Sequence, residues 1–247
     1  MSTTTSTRTP RRDPLVVAPR FNGPITSGNG GYSCGLFAQL LDGPAEVALR
    51  SPVPLDTELT VEADGENLRI SDGDAVVATV EPADALVLEV PQPPTLDQAR
   101  AASARYRAPS GEIFSCCFVC GPDRDDAMGV YGGSVEGRSM VASPWTPSPD
   151  GGEVPVEILW AVLDCPTYFA LYPHESDGMP MAFLARMQAE IAGAPVPGGQ
   201  HVVVAWPIER NGRKLTAGSA VYSPDGSVLA AARVLLIEAK AESGDER

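Results

Sequence analysis

The chain has 247 residues, of which 43% are hydrophobic, and its formal net charge is −14. This length and composition indicate a globular protein with a substantial core, in one large or two small domains. The acidic balance leaves no basic face for many phosphates, which disfavours general nucleic-acid binding but permits one local basic cluster to hold a small phosphate-bearing ligand.

The two ends of the chain are polar. No apolar stretch approaches the roughly 20 residues that a membrane-spanning helix needs, and the first residues, rich in Ser, Thr and Arg, lack the apolar centre of a secretory signal. We therefore expect a cytoplasmic protein with disordered tails at 1–20 and 239–247.

The first structural unit is predicted over 21–82. It opens with an apolar helix at 30–41, which is followed by β-branched runs that begin at Val47, Leu59 and Ala75. An Asp-Gly pair precedes the third run and supplies the positive backbone angles of a tight hairpin. The pattern predicts a helix followed by an antiparallel meander.

A proline-rich connector is predicted over 83–110. The prolines keep the chain extended where they fall, and one short helix is expected inside the connector at 96–106. Such a segment carries the chain across the molecule from one half to the other.

The second unit, predicted over 111–238, repeats the first. A strongly apolar helix at 156–171 precedes three β-branched runs, and Asp225-Gly226 again supplies a hairpin turn. The runs are 202–207, 214–221 and 228–235. Two copies of helix plus meander predict a fused dimer. An insertion at 173–199, with a short helix at 181–191, has no counterpart in the first half.

Five cysteines, an odd number, fit a reducing compartment better than a disulfide framework. Cys117 and Cys120, in a Cys-Cys-Phe-Val-Cys-Gly segment, have the spacing of a zinc-binding pair. A tetrahedral site needs two further ligands, and the chain offers no second pair. The remaining candidates are Cys34, Cys165, His174 and His201. The alternative that we favour is a buried strand in which cysteine serves as a small hydrophobe, so we expect no metal and no cofactor.

Two carboxylates interrupt the apolar second helix. Glu157 and Asp164 are seven residues apart and therefore share one face, with Trp160 and Thr167 beside it. A buried carboxylate is costly unless it is hydrogen-bonded structurally or held for chemistry. Glu157 lies near the helix start, where the dipole stabilises a negative charge, so Asp164 is the stronger functional candidate. Pro166 removes a helical donor and can open the backbone beside Asp164.

The first helix begins in a glycine-rich stretch. Gly30 and Gly31 let a ligand approach the free N–H groups of the helix N-terminus, which can polarise a carbonyl. A glycine turn capped by Asn29 explains the same residues equally well. Gln39 is the only long polar side chain of this helix, so it faces either a cleft shared with Asp164 or the exposed side.

These features resemble a known family. A helix that opens with Asn-Gly-Gly-Tyr at 29–32 and leads into a meander resembles the hotdog fold of acyl-CoA thioesterases. The Cys-Phe-Val-Cys-Gly segment at 117–121, followed later by Leu163-Asp164, is similar to single-domain hotdog thioesterases with a cysteine-containing entry and a helix carboxylate. The resemblance implies an α+β double hotdog over about 21–237, with two antiparallel sheets each wrapped around a central apolar helix.

The same resemblance implies hydrolysis of an acyl thioester. The amides at Gly30 and Gly31 would polarise the thioester carbonyl, and Asp164 would act as general base or nucleophile. The full catalytic set would be Asp164, Gly30, Gly31, Asn29, Gln39 and Thr167. Substrate would contact Tyr32 and Trp160 on the helices that line an acyl tunnel, and the coenzyme A phosphates would contact Arg210, Arg213 and Lys214. The expected partner is an acyl-CoA or another acyl thioester, bound by a monomer or homodimer.

The chain departs from the family pattern in each half. The first half has Ala38 and Gln39 where the carboxylate would stand, and the second has Pro155-Val156 in place of Gly-Gly. At most one composite site is therefore expected, with the glycines from one half and Asp164 from the other, unless the site has decayed.

Other functions remain open from the sequence. A noncatalytic acyl-CoA or lipid binding protein would keep the fold and explain the incomplete motifs. A hotdog dehydratase would carry a catalytic histidine that is not evident, and a cysteine hydrolase using Cys165 lacks a histidine placed to activate it. Three methionines near the insertion, Met179, Met181 and Met187, would form either an adaptable lid over an acyl chain or part of a surface excursion packed on the sheet.

Overall fold

The computed structural model describes residues 14–107, 113–172 and 179–240. The predicted tail segments 1–13 and 241–247 lie outside the described residues, as do 108–112 of the connector and 173–178 of the predicted insertion. Within the described ranges the chain is α+β, with three α-helices and one antiparallel sheet of ten strands. None of these helices combines the length and the apolarity that crossing a bilayer requires.

The elements alternate between helices and strand groups along the chain. The helices are α1 (Gly30–Ala38), α2 (Leu96–Ser103) and α3 (Val156–Leu171). The strands of the first half are β1 (Ala45–Leu49), β2 (Thr60–Asp64), β3 (Asn67–Asp72) and β4 (Ala75–Pro82). Those of the second half are β5 (Gly133–Ser134), β6 (Val141–Trp145), β7 (Ala182–Ile191), β8 (His201–Asn211), β9 (Lys214–Tyr222) and β10 (Val228–Glu238). Their order across the sheet is β2-β3-β4-β1-β7-β10-β9-β8-β6-β5.

The two halves of the sheet have the same connectivity. In the first half α1 leads to β1, and the meander β2-β3-β4 returns so that β4 pairs with β1. In the second half α3 leads to β7, and the meander β8-β9-β10 returns so that β10 pairs with β7. In the second half β6 pairs with the outer side of β8. In the first half Leu15 forms an isolated β-bridge with Leu59, the residue before β2, so β2 has a short neighbour where β8 has β6.

The halves meet where β1 pairs with β7. Val47 lies opposite Met187 in antiparallel register, and the pairing continues to either side. The sequence predicts two sheets, whereas this pairing makes one continuous sheet, because the two matching strands would otherwise each leave an open edge.

α1 and α3 pack directly against each other, and most of their residues are buried. A Cβ atom at Gly31 would lie 2.6 Å from the carbonyl oxygen of Trp160, and one at Gly35 would lie 2.7 Å from Cα of Glu157. The helix backbones approach this closely because the two positions carry no side chain. The helix pair shares one apolar core with strands of both halves.

The strongest sequence signals are confirmed. α3 spans the predicted 156–171 and is buried on nearly all sides, in agreement with its apolar residues in every direction. α1 begins at the predicted residue and ends at Ala38, three residues early. The predicted hairpin turns contain Gly73 at φ 55° and Gly226 at φ 86°, the conformation that favours glycine.

The helix predicted at 181–191 is wrong, because Ala182–Ile191 forms β7. The segment is rich in the helix formers Ala, Leu, Arg, Met, Gln and Glu, but pairing with β1 on one side and β10 on the other overrides that local propensity. Since β7 matches β1, residues 182–191 of the segment predicted as an insertion have a counterpart in the first half.

Two further segments differ from their predictions. The described part of the predicted N-terminal tail is packed on the core, with Leu15 and Val17 buried. The predicted buried strand around Cys117 is instead a series of turns, although Cys117 and Cys120 are buried as expected.

Candidate active site

The N-terminus of α1 lies beside the carboxylate of Asp164 on α3. Gly31 donates its backbone N–H to Oδ2 of Asp164 at 2.8 Å. Asn29 caps α1, since its Oδ1 accepts the N–H of Tyr32 at 2.9 Å. Gly30 occupies the first helical position, where no carbonyl of the helix is available to its N–H. The first half thus supplies amide donors, and the second half supplies the carboxylate.

Close packing requires glycine at both positions of this helix start. A Cβ atom at Gly30 would lie 2.8 Å from Cδ2 of Leu184 and 3.4 Å from Oδ2 of Asp164. A Cβ atom at Gly31 would lie 2.5 Å from Cβ of Asp164. Only residues without side chains bring the amides this close to the carboxylate.

Asp164 is 8% exposed, yet it lines a cavity. Burial raises the pKa of Asp164 to about 7, although the hydrogen bond from Gly31 opposes the shift. The hydroxyl of Thr167 donates to the backbone carbonyl of Asp164 at 2.6 Å and so does not serve the carboxylate directly. The carboxyl therefore changes charge near neutral pH, the range that suits a general base.

The cavity beside Asp164 has a volume of about 640 Å³. Its wall is largely apolar and comes from both halves of the chain. The larger apolar side chains in it include Leu49, Val53, Phe114, Tyr168, Phe183 and Leu236. Two exposed cations, Arg50 and Arg213, also line it. An apolar cavity of this size with a few polar groups is typical of a small-molecule site.

Three cysteines form a cluster at the same cavity. Cys117 and Cys120 come from the turns after the connector, and Cys165 follows Asp164 on α3. The three sulfur atoms lie within 4.8 Å of one another, and those of Cys117 and Cys165 are 3.8 Å apart. Hydrogen bonds from the thiols of Cys120 and Cys165 lower the pKa of Cys117. Nδ2 of Asn29 donates to the sulfurs of Cys165 and Cys117, at 3.5 and 3.7 Å.

Solved structures share this architecture over most of the chain. A proposed thioesterase from Novosphingobium aromaticivorans has a TM-score of 0.60 at 14% identity, with 93% of this chain and 97% of that protein covered. A proposed thioesterase II from Thermobifida fusca has a TM-score of 0.59 at 15% identity, with 92% and 93% covered. A protein of unknown function from Alicyclobacillus acidocaldarius, described as having a hot dog fold, has a TM-score of 0.56 at 13% identity, with 92% of each chain covered.

The chain has the hotdog fold. No protein-family model matches it, and no curated protein sequence matches it either.

The hotdog fold brings together part of the predicted catalytic set. Asp164, Gly30 and Asn29 line the cavity, and Gly31 contacts Asp164. Gln39 lies elsewhere, because its amide donates to Oε2 of Glu157 at 3.0 Å, two turns of α3 away from Asp164.

Of the residues predicted to contact the substrate, some line the cavity and others lie elsewhere. Arg213 lines the cavity and donates to the backbone carbonyl of Glu238 at 2.6 Å. Arg210 instead forms an ion pair with the carboxylate of Glu238. Lys214 is exposed and is not among the residues that line the cavity. Tyr32 stacks on the ring of Phe21, with ring centroids 4.1 Å apart, so it is a core residue.

A second, smaller cavity lies at the other end of the helix pair. It has a volume of about 340 Å³ and is lined by Trp160, Gln39 and Val156. Val156 is the first residue of α3, as Gly30 is the first residue of α1. The second cavity therefore lies at the start of α3, in the position that corresponds to the first cavity at the start of α1. It has no glycine at the helix start, and Gln39 replaces the carboxylate, as the sequence indicates.

Several residues reach the main cavity, the one beside Asp164, through long-range packing. Arg50 follows β1 and reaches the cavity because the meander folds back beside α1, a long-range effect without a local signal. Cys165 joins Cys117 across 48 residues of chain. Of the three methionines expected either in a lid or in a surface excursion, Met181 lines the cavity, whereas Met187 is buried in the core.

Proposed function

We propose that the chain is a double hotdog that hydrolyses an acyl thioester, such as an acyl-CoA, at one composite site. The observation that carries the proposal is the hydrogen bond from Gly31 N–H to Asp164, which places a carboxylate of one half beside the helix start of the other. A cytoplasmic setting would suit the five free cysteines.

Two features support the double hotdog. Each half has a buried helix, a strand that follows it and a three-stranded meander in the same order. The halves join through the matching strands β1 and β7, which is the arrangement expected when two equal units fuse around a local twofold axis.

In the proposed reaction the thioester carbonyl oxygen would accept hydrogen bonds from the N–H of Gly30 and, after its bond to Asp164 breaks, from the N–H of Gly31. Water attacks the carbonyl carbon while the carboxylate of Asp164 takes one of its protons. The tetrahedral intermediate then collapses, the carbon–sulfur bond breaks, and the proton passes from Asp164 to the leaving thiolate. The products are a carboxylic acid and a thiol. Each amide donor is worth about 3 kcal/mol to the transition state in well-studied hydrolases.

The cavity supplies a place for both parts of such a substrate. Its apolar wall fits an acyl chain, since burial of each methylene is worth about 0.8 kcal/mol. Arg50 and Arg213 supply positive charge at the same cavity for the phosphates of coenzyme A, in a protein whose net charge is −14.

The proposal is tested by thiol release from short, medium and long acyl-CoAs with native protein, Asp164→Asn and Glu157→Gln. Asp164→Asn removes the base and should lower kcat by roughly 100- to 10,000-fold. Glu157→Gln is the matched control, because Glu157 lies on the same helix but contacts Gln39 outside the main cavity, and it should keep native activity. Equal activity in all three proteins would rule out Asp164 as the base.

A noncatalytic acyl-CoA binding protein is the second candidate. The observation in its favour is that Asp164 accepts the N–H of Gly31, a donor that the substrate carbonyl would need. This candidate predicts that acyl-CoA binds, as measured by calorimetry, without thiol release from any member of the panel. Hydrolysis that depends on Asp164 would exclude it.

A further inference from the structure

Cys117, Cys120 and Cys165 have no role in the proposed hydrolysis, yet their side chains converge. Two come from one turn segment, and the third comes from α3. All three sulfurs lie within 4.8 Å of one another and line the main cavity. Cysteines that serve only as small hydrophobes have no reason to turn three sulfur atoms to one point.

The spacing of the sulfurs fits a tetrahedral thiolate site. With a zinc–sulfur bond of about 2.3 Å, two sulfurs on one ion lie about 3.8 Å apart. The sulfurs of Cys117 and Cys165 are 3.8 Å apart. No two sulfur atoms of the cluster are more than 4.8 Å apart. The sulfur of Cys120 therefore needs to move by about 1 Å at most to reach the spacing of a third zinc ligand.

The backbone that carries the first two sulfurs is held in place. The carbonyl of Cys117 accepts the N–H of Gly121 at 2.8 Å, and the carbonyl of Cys120 accepts the hydroxyl of Tyr106 at 2.8 Å. At Phe118, between them, the carbonyl accepts the N–H of Met128 at 2.8 Å. These bonds fix the turn without using the sulfur atoms, so the ligands are positioned before an ion arrives.

Asn29 supplies an outer-shell donor. Its Oδ1 is engaged by the N–H of Tyr32, which leaves Nδ2 directed at the sulfurs of Cys117 and Cys165. An N–H donor of this kind stabilises a metal-bound thiolate and orients it. The residue that caps α1 therefore contacts both the helix start and the cysteine cluster.

We propose that Cys117, Cys120 and Cys165 bind one zinc ion as thiolates, with a fourth coordination position open to the cavity. Binding releases the three thiol protons, and the ion offsets most of the negative charge that the thiolates bring into a buried place. The ion would tie the turn segment to α3 next to Asp164. The site does not depend on thioester hydrolysis, and it binds zinc whether or not the chain turns over a substrate.

The first test is a titration of the reduced full chain with cobalt(II), which reports tetrahedral thiolate ligation through charge-transfer and intense visible absorption. Native protein should bind one ion per chain and release it to zinc. Cys165→Ser and Cys117→Ser should each weaken binding at least about 100-fold, since loss of outer-shell groups alone costs 10- to 100-fold. Cys116→Ser is the matched control, because its sulfur accepts from Asn22 rather than joining the cluster, and it should bind like native protein.

A second measurement needs no variant of the cluster. Alkylation of the native chain followed by peptide mass spectrometry should show that zinc protects Cys117, Cys120 and Cys165 but leaves Cys116 reactive. Native protein that gives no thiolate absorption overturns the proposal, as does absorption that persists in Cys165→Ser. A disulfide between Cys117 and Cys165 that forms in preference to zinc uptake would make the cluster a redox pair and would also overturn it.

Discussion

Gly31 and Asp164 are 133 residues apart in the chain and are joined by a 2.8 Å hydrogen bond from backbone N–H to carboxylate. The donor belongs to a helix start of the first half, and the acceptor belongs to a helix of the second. Because a Cβ atom at Gly31 would also meet the backbone of α3, the contact that forms the site is the contact that packs the two halves together. Stability and activity should therefore be coupled at these residues.

Replacing Asp164 by asparagine should change how stability depends on pH. The pKa of Asp164 is about 7 in the folded protein, against an ordinary value of 3.8. The folded state therefore binds the proton of Asp164 more tightly than the unfolded state does. The contribution of Asp164 to the free energy of unfolding is fully present below pH 4 and is lost as the pH rises to about 7. Asparagine cannot ionise, so Asp164→Asn should lack this loss, which amounts to at most about 4 kcal/mol.

The measurement for that prediction is urea unfolding of native protein and Asp164→Asn between pH 4 and pH 8. The difference in unfolding free energy should favour the variant increasingly across this window, since other titrating groups cancel in the comparison. Parallel curves for Asp164→Asn would mean that the pKa of Asp164 is not raised.

The rate of acyl-CoA hydrolysis should depend on the same proton. A general base works in its ionised form, so kcat/KM should rise about tenfold per pH unit below pH 7 and level above it. Residual activity of Asp164→Asn should lack this break. A rate that is already flat at pH 5 to 6 would place the essential ionisation elsewhere.

The sequence allows much of this site to be predicted, for a local reason. α3 is apolar in every direction, which identifies a buried helix, and a carboxylate at Asp164 on such a helix needs a partner. Gly30 and Gly31 identify the opposite helix start in the same way. The predicted repeat leads us to expect that these two features pair, because equivalent helices of a fused dimer would pack together.

The remaining features depend on long-range pairing. β7 is built from helix-favouring residues, and only its pairing with β1 and β10 makes it a strand. Cys165 reaches Cys117 through the packing of a turn segment against α3, which no sequence spacing encodes. Gln39 is expected from the sequence either in a cleft shared with Asp164 or on the exposed side, and it occupies neither place, because its partly buried amide bonds to Glu157 at the second cavity.

Alanine should affect stability and activity in different proportions at the two glycines. Gly31→Ala places a methyl group against backbone and Cβ atoms of α3, which cannot move away, so it should destabilise the protein by about 1 to 3 kcal/mol or more. Gly30→Ala meets Cδ2 of Leu184 at 2.8 Å, which can shift, and Cβ of Leu184 at 2.9 Å, which moves only with the backbone of β7. It should cost less stability but lower kcat, because the methyl group lies beside the proposed carbonyl site.

Thermal unfolding and thiol release measured on both variants check this difference. Gly30→Ala paired with Leu184→Ala serves as the control, because it removes the contact with Cδ2 of Leu184 while Cβ remains. Part of the lost stability should return while kcat stays low. If relief of the contact restored full activity, the amide of Gly30 would have no part in the reaction beyond packing.

Arg50 and Arg213 should act on the coenzyme A part of the substrate. Both are exposed at the main cavity, where one charge contact is worth up to about 1 kcal/mol, so Arg50→Ala and Arg213→Ala should each raise KM for an acyl-CoA roughly fivefold without lowering kcat. Lys214→Ala removes a neighbouring cation outside the cavity lining and is the matched control, with no expected change in KM.

The source of that KM effect can be isolated with a substrate that lacks phosphates. An acyl-pantetheine keeps the thioester and the acyl chain, so native protein, Arg50→Ala and Arg213→Ala should have the same KM for it. Raised salt should also narrow the difference between native and variant proteins with acyl-CoA, because exposed charges are screened beyond about 10 Å at 0.1 M. If the variants are impaired equally on both substrates, the arginines shape the cavity rather than bind phosphate, and the phosphate contacts lie elsewhere.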